Sequence, residues 1–311
     1  MNKLPLKQVK MYGLESIFNE IINLYNNKIL PKRLLLSGPK GSGKATLSYH
    51  LINYIFSEYE ENKYDLKNNT INENNKSYKL ICNGSHPNFY SIDLINDKKN
   101  IEISEIRNLI NFTNLSSLGD QKKIILIDDV EYLSINAVNA LLKVVEEPND
   151  NTFFILINNS SKKIIDTLRS RCIEFKLSID KSVIKNIIND LYKEINYEDI
   201  SPDFIRYSIT LSGLIDFLNI CINEKLNYND ITIEIFLKYI FENKLYKKKE
   251  FQPIDFKSFI EIFFLKKIKY LKDDSVFSIY SHFNVKYHKF KKFNLDMESF
   301  FLEFNSKLLN E

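Results

Sequence analysis

The sequence has no tryptophan, seven glycines, seven prolines and three cysteines among its 311 residues. The cysteines, Cys82, Cys172 and Cys221, are scattered and odd in number, which argues against a disulfide framework and fits a reducing compartment. Four histidines, His50, His86, His282 and His288, are equally dispersed, no pair of cysteines has metal-ligand spacing, and no zinc is expected. The net charge of +3 is close to balance and does not by itself mark a nucleic-acid binder. No run of about 18 apolar residues occurs, so no membrane span is expected. The opening stretch MNKLPLKQVK lacks the apolar core of a signal peptide, which leads to the expectation of a cytoplasmic protein. What is present is ordinary for a globular chain: 44% apolar and 27% charged residues, with length enough for two or three domains. The abundance of Asn, Lys, Ile, Tyr and Phe looks like the coding bias of an AT-rich genome and is no functional clue.

The first half alternates short apolar runs with amphipathic stretches. RLLLS (33–37), NFYSID (88–93), KIILID (123–128), TFFILIN (152–158) and CIEFKL (172–177) read as strands. Leu47, Leu51, Ile52 and Ile55 form a helical stripe, and helices are predicted over 101–112 and 135–148, the latter stopped by Pro148. This rhythm gives βαβ units and a mostly parallel sheet, an α/β fold. Residues 58–78 are polar and without periodicity, and read as a surface insertion or mobile loop. After residue 178 the rhythm changes. Val183, Ile184, Ile187, Ile188, Leu191, Tyr192 and Ile195 make one helical stripe. SPDF (201–204) offers a Ser cap and a Pro at the first helical position of a second helix, ending near Ser212-Gly213. A third helix carries Leu214, Phe217, Leu218 and Cys221. The expected organisation is an α/β domain over 1–178, three lid-like helices over 179–226 and a helical domain over 227–311.

The stretch LLLSGPKGSGKATLSYHL (34–51) places Gly38, Gly41, Gly43 and Lys44 between a predicted strand and a predicted helix, the context of a phosphate-binding loop. Such a loop turns backbone N–H groups toward phosphates, with Lys reaching the β and γ phosphates and a hydroxyl on magnesium. Here the hydroxyl position is Ala45. Thr46 has a hydroxyl, but one step along a helix turns it ~100° away. Two readings stand: the loop still binds a nucleotide, or it is kept for its fold. IILIDDVE (124–131) has the form of a Walker B strand, with Asp128 at the metal-facing position and Asp129 where a Glu acting on water is usual. Two acids after a strand also serve as a turn cap. TLRSRCIEF (167–175) sets Arg171 between Ser170 and Cys172; alone it reads equally as a surface ion pair with Glu174 or Asp166.

Taken together, HPNFYSID, IEISEIRNLINF, the run through NALLKVVEEP and the Ser-Arg-Cys triplet resemble the delta-prime subunits of the bacterial DNA polymerase III clamp loader, within the AAA+ superfamily. The match is strong over residues 10–178, faint over the lid and only positional beyond it. The resemblance implies a RecA-like AAA+ domain, a three-helix lid and an all-α collar that joins subunits in a ring around primer–template DNA. It implies that Arg171 acts in trans on ATP held by a neighbour, and that Asn159, with Asn158 beside it, is the sensor at a strand end. The implied partners are gamma/tau and delta subunits, the sliding clamp and, through the complex, DNA. ATP or ADP with magnesium is the implied ligand of the loop. The sequence departs from the family pattern where a lid arginine is expected near 211–218, with Asp216 in its place, and it lacks the zinc-module cysteines. Those departures, with Ala45 and Asp129, lead to the expectation of a subunit that hydrolyses no ATP efficiently and has no polymerase site of its own. The alternatives are an active ATPase of the gamma/tau type and an unrelated P-loop kinase or helicase. Basic clusters at Lys247–Lys249, Lys266-Lys267 and Lys289, Lys291 and Lys292 read either as DNA contacts or as solvated helix faces.

Overall fold

Among the described residues, five parallel strands, β1 (Arg33–Ser37), β2 (Phe89–Ile92), β3 (Lys123–Ile127), β4 (Thr152–Asn158) and β5 (Ile173–Lys176), form a sheet in the order β2-β3-β4-β1-β5. In the register, Leu35 lies opposite Leu156 and Ile125 opposite Phe154. This is a computed structural model describing residues 4–93, 100–115, 117, 122–148, 151–159, 163–207, 210–251, 254, 256–271, 274–293 and 295–309. Every residue of β3 and β4 is buried, because both faces of the sheet are covered; continuous apolar runs such as KIILI are what that burial selects. Successive side chains point to opposite faces. Leu34, Leu36, Ile155 and Ile157 join Phe18 of α1 (Glu15–Asn26) and Leu47 and Leu51 of α2 (Lys44–Ser57) in one core. Leu35, Ile125, Phe154 and Leu156 join Ile106 and Leu109 of a further helix (Ile103–Asn114), and Val138 and Leu141 of another (Ile135–Glu146), in the second.

The polar insertion is built rather than loose. It ends in α3 (Lys76–Cys82), a helix its composition did not suggest; the two helices just named are therefore α4 and α5. Tyr64 and Ile71 are buried, and the Tyr64 hydroxyl lies 2.7 Å from His50 Nδ1. Asp65 and Thr70 exchange backbone hydrogen bonds of 2.9 and 3.0 Å. The Asn75 side chain caps α3, and Glu60 accepts from Asn75 Nδ2 at 2.6 Å and from the Lys76 N–H at 3.1 Å. Two buried apolar residues are too few to make a periodicity. Side-chain to backbone hydrogen bonds from Asn, Asp and Glu hold the segment instead.

The crossover from β4 to β5 contains the short helix α6 (Asp166–Arg169). Contacts divide the chain into two units, residues 3–183 and residues 184–311. The second holds α7 (Lys181–Leu191, straddling the division), α8 (Pro202–Tyr207), α9 (Leu211–Asn223), α10 (Ile233–Glu242), α11 (Lys257–Leu271), α12 (Asp274–Phe293) and α13 (Met297–Phe304). Ser212-Gly213 does not end a helix as expected. It lies in the first turn of α9, where the Thr210 hydroxyl accepts from the Gly213 N–H at 3.3 Å and fixes the start. The helices share an aromatic core. Phe204 stacks on Phe217 at 3.6 Å between ring centres, and Phe236 meets both edge-on at 5.1 Å. Lys266 bridges Asp203 at 2.7 Å and Glu234 at 2.9 Å. The expected lid (179–226) and collar (227–311) helices are thus tied across residue 226.

Candidate functional site

The glycine loop leaves β1 at the carboxyl edge of the sheet. A Cβ at Gly38 would stand 2.4 Å from the Leu177 carbonyl oxygen, which excludes any other residue without a backbone shift. Gly43, with φ 83°, caps α2 in the left-handed region, and a Cβ there would meet Leu14 Cδ1 at 2.8 Å. Gly41 shares that conformation, with φ 84°. Lys44 is buried. Its ammonium donates to the loop's own carbonyls, Gly38 O at 2.8 Å and Pro39 O at 2.6 Å, and lies 3.3 Å from Ser42 Oγ. Burial pushes its pKa down to about 8, against the pull of Asp128, Glu131 and Asp129. Ala45 packs at the border of the apolar core, and Thr46 is half-buried beside it.

The acidic end of β3 meets this loop. Asn159, just past β4, gathers the carboxylates: its Nδ2 donates to Asp128 Oδ1 at 3.1 Å and Asp129 Oδ1 at 2.7 Å. Its N–H donates to both Glu131 oxygens, at 3.1 and 3.2 Å. Burial, then the neighbouring Asp129, raises the Asp128 pKa to about 6, while hydrogen bonds from the Asp129 N–H and Asn159 and the charge of Lys44 resist the rise. Asp129 adopts a left-handed backbone, φ 54°, uncommon for a side chain other than glycine. Glu131 stands within the strand motif, and the sequence alone assigns it no part; it is buried in this cluster, three residues past Asp128. The structure therefore brings Gly38, Gly41, Gly43, Lys44, Thr46, Asp128, Asp129 and Asn159 to one edge of the sheet. The loop backbone and Lys44 are the groups that would hold phosphates. At the position of the magnesium hydroxyl Ala45 offers none; Asp128 Oδ1 accepts from the Asp129 N–H and Asn159 Nδ2, and both Glu131 oxygens accept from the Asn159 N–H. Among the described residues no group of three or more His, Cys, Asp or Glu is arranged to hold a metal ion.

Arg171 lies elsewhere. It precedes β5, whose Ile173 is level with Leu34, so it sits at the amino edge of the parallel sheet. The length of β1 separates that edge from Gly38, on the order of 15 Å at ~3.3 Å per residue. Its expected local partners are both taken. Glu174 accepts from Arg169 Nε at 3.0 Å and Nη2 at 2.7 Å and from Ser37 Oγ at 2.6 Å, and Asp166 pairs with Lys163 at 2.9 Å. Arg171 instead pairs with Glu146 at the end of α5, with Nε 2.8 Å and Nη2 2.5 Å from Oε1, and its Nη1 donates to the Thr167 carbonyl at 2.8 Å. Its side chain remains 34% exposed. Burial pushes the adjacent Cys172 thiol up to about 11, so it is no reactive thiolate.

Asp216, at the expected lid-arginine position, is buried in α9. Three of the candidate DNA-contacting lysines are engaged within the chain: Lys247 with Glu298 at 2.5 Å, Lys248 with Glu224 at 2.6 Å, and Lys266 as above. Lys267 lies over the Phe263 ring at 5.5 Å. The side chains of Lys249, Lys291 and Lys292 lie outside the described ones. Among the described residues no helix is long and apolar enough to cross a membrane.

A parallel sheet in this strand order, with a glycine loop after β1 and an acidic end on β3 beside it, defines a P-loop protein of the RecA-like AAA+ class. The family comparison is narrower. The family model described as DNA polymerase III, delta subunit, matches residues 13–181, more than half of the chain, and the protein belongs to that family. It is 29% identical over 140 residues to the DNA polymerase III subunit delta-prime of Pseudomonas aeruginosa, covering 45% of this chain and 41% of that one. It is 33% identical over 191 residues to the DNA polymerase III subunit gamma of Buchnera aphidicola subsp. Schizaphis graminum, covering 61% of this chain and 50% of that one. The chain thus spans half or less of the length of these curated relatives. Among solved structures, a DNA polymerase III gamma subunit-related protein from Thermotoga maritima aligns with a TM-score of 0.47 at 16% identity, over 87% of this chain and 77% of that one.

Proposed function

We propose that this protein is a delta-prime-type clamp-loader subunit of DNA polymerase III that hydrolyses no ATP efficiently and supplies Arg171 to ATP held by a neighbouring subunit. The observation that carries this reading is the placement of Arg171 at the sheet edge opposite the glycine loop. An arginine side chain cannot span that distance, so if it meets a phosphate, the phosphate belongs to another chain. A guanidinium suits that role because it stays charged, is planar and can bridge two phosphate oxygens as charge develops on them. The chain's own loop supports the other half of the reading. Ala45 and an ammonium turned onto Gly38 and Pro39 leave it poorly equipped for metal-assisted phosphoryl transfer. The implied partners are gamma/tau and delta subunits, a sliding clamp and, through the assembly, primer–template DNA in the cytoplasm. The helical unit then works as lid (179–226) and collar (227–311).

A second reading, an active ATPase of the gamma/tau type, is favoured by the similarity to a gamma subunit. One experiment separates them. The isolated chain is expected to show negligible ATP hydrolysis, and a complex rebuilt with Arg171→Ala is expected to assemble but to load clamps at least tenfold more slowly. A turnover of the isolated chain in the ordinary enzyme range of ~1–10³ s⁻¹, abolished by Lys44→Ala, would overturn the first reading.

A further inference from the structure

We propose that Glu146 is a positioning residue that aims Arg171 at the neighbour's phosphates, an inference that rests on the role given to Arg171 above. A guanidinium carries five N–H donors in one plane. Glu146 Oε1 accepts from Nε at 2.8 Å and lies 2.5 Å from Nη2 as an ion pair, and the Thr167 carbonyl accepts one N–H of Nη1 at 2.8 Å. Two of the five donors are hydrogen-bonded, Nε–H and one on Nη1, and N–H groups on both terminal nitrogens remain. Held by Glu146 on one side and Thr167 on the other, the guanidinium keeps N–H groups on both terminal nitrogens, which suit two oxygens of one phosphate.

The clamp stands on fixed ground. Glu146 closes α5, whose Leu141 and Val145 are fully buried. Arg33 Nη1 donates to the Val145 carbonyl at 2.9 Å and the Glu146 carbonyl at 3.3 Å, pinning the helix end to β1. Thr167 belongs to α6, held by buried Leu168. Glu174 and Asp166, the other carboxylates near in sequence, are committed to Arg169 and Lys163 and do not compete for Arg171. An arginine held from both sides loses less freedom when it meets its target, and a misplacement of about 1 Å can cost on the order of a hundredfold in rate.

The test is the steady-state rate of clamp loading by the rebuilt complex on primed DNA, over a range of ATP concentrations. Glu146→Ala is expected to lower kcat by about three- to tenfold with the KM for ATP within twofold, the pattern of an interaction made in the transition state. Glu146→Gln, whose Oε1 still accepts from Nε, should recover most of the rate. Glu146→Ala added to Arg171→Ala should cost nothing more. If Glu146→Ala does not assemble, Glu146→Asp, shorter by one methylene, carries the same expectation. An unchanged or raised kcat for Glu146→Ala, beside a lowered one for Arg171→Ala, overturns the positioning role and leaves the finger intact. A further loss in the Arg171→Ala background marks a structural role and overturns it too. If Arg171→Ala itself changes nothing, both ideas fall together.

Discussion

Lys44 and Arg171 are cations at opposite edges of one sheet, and the protein treats them in opposite ways. Lys44 is buried, turned back onto Gly38 and Pro39, and its pKa is pushed down to about 8 by that burial. Arg171 is one-third exposed, held on two flanks, and retains donors for something outside the chain. Lys44 meets the loop's own carbonyls between β1 and α2. Arg171 stands at a one-third-exposed corner with N–H groups left over on its terminal nitrogens. The difference marks where the two readings of the chain part: one turns on the loop and its lysine, the other on Arg171.

The comparison breaks if both cations matter equally to the assembled complex. Arg171→Ala is expected to slow clamp loading by the assembled complex tenfold or more, since a finger acting in trans contributes 10³–10⁵ at the site it serves in well-studied NTPases. Lys44→Ala in the same complex is expected to change the rate by less than about twofold. Equal losses from the two variants would return the glycine loop to the catalytic machinery.

A smaller effect sharpens the structural side. Gly38→Ala puts a methyl group 2.4 Å from the Leu177 carbonyl oxygen, where backbone must move to admit it. It should destabilise the α/β unit by about 2–3 kcal/mol, in the range for strain at a special backbone position. Urea unfolding would read the loss. The rate of the complex per assembled subunit should stay the same. A variant with unchanged unfolding would mean the loop is not needed for the turn from β1 into α2.

How far this could be read from sequence follows from the range of the interactions. KIILI and TFFILIN announce buried strands because burial on both faces demands continuous apolar residues, and the glycine loop is legible because its geometry is local. Arg171's partner was not legible. Glu146 is 25 positions away on another element, and only the register of β5 beside β1 brings the two together. Glu131 is illegible for a different reason: an acid two residues past a pair of others reads as redundant, and its bond from the Asn159 N–H comes from another element. The insertion at 58–78 looked loose because its order comes from Glu60 and Asn75 bonding backbone, which leaves no hydrophobic period. Ser212-Gly213 looked like a helix end until Thr210 was found capping the next helix across it.

The finest test of the comparison uses pH. Asp128 has a pKa raised to about 6 in the folded protein, against 3.8 for an ordinary Asp, chiefly because it is buried. Between those two values the folded chain holds more proton than the unfolded chain, so this group's contribution to stability falls as pH rises, and above about 6 its full cost is present. Asp128→Asn removes the charge while its Oδ1 can still accept from the Asp129 N–H, now at 2.8 Å, and from Asn159 Nδ2, now at 3.1 Å. A rise of that size corresponds to roughly 3 kcal/mol; Lys44 loses a favourable neighbour, so a gain of about 1–2 kcal/mol at pH 7.5 is expected, shrinking to nothing near pH 4. His50 and His86, each lowered from 6.5 to about 4 by burial, act with the opposite sign, adding stability as pH rises across that window. They are present in both proteins and cancel in the difference. A stabilised Asn variant would mark the acidic cluster as a retained cost of the fold. An Asn variant that is less stable at pH 7.5 would mean that Asp128 and Lys44 support each other as an ion pair, and the loop would then rank with Arg171 as a site kept for its charge.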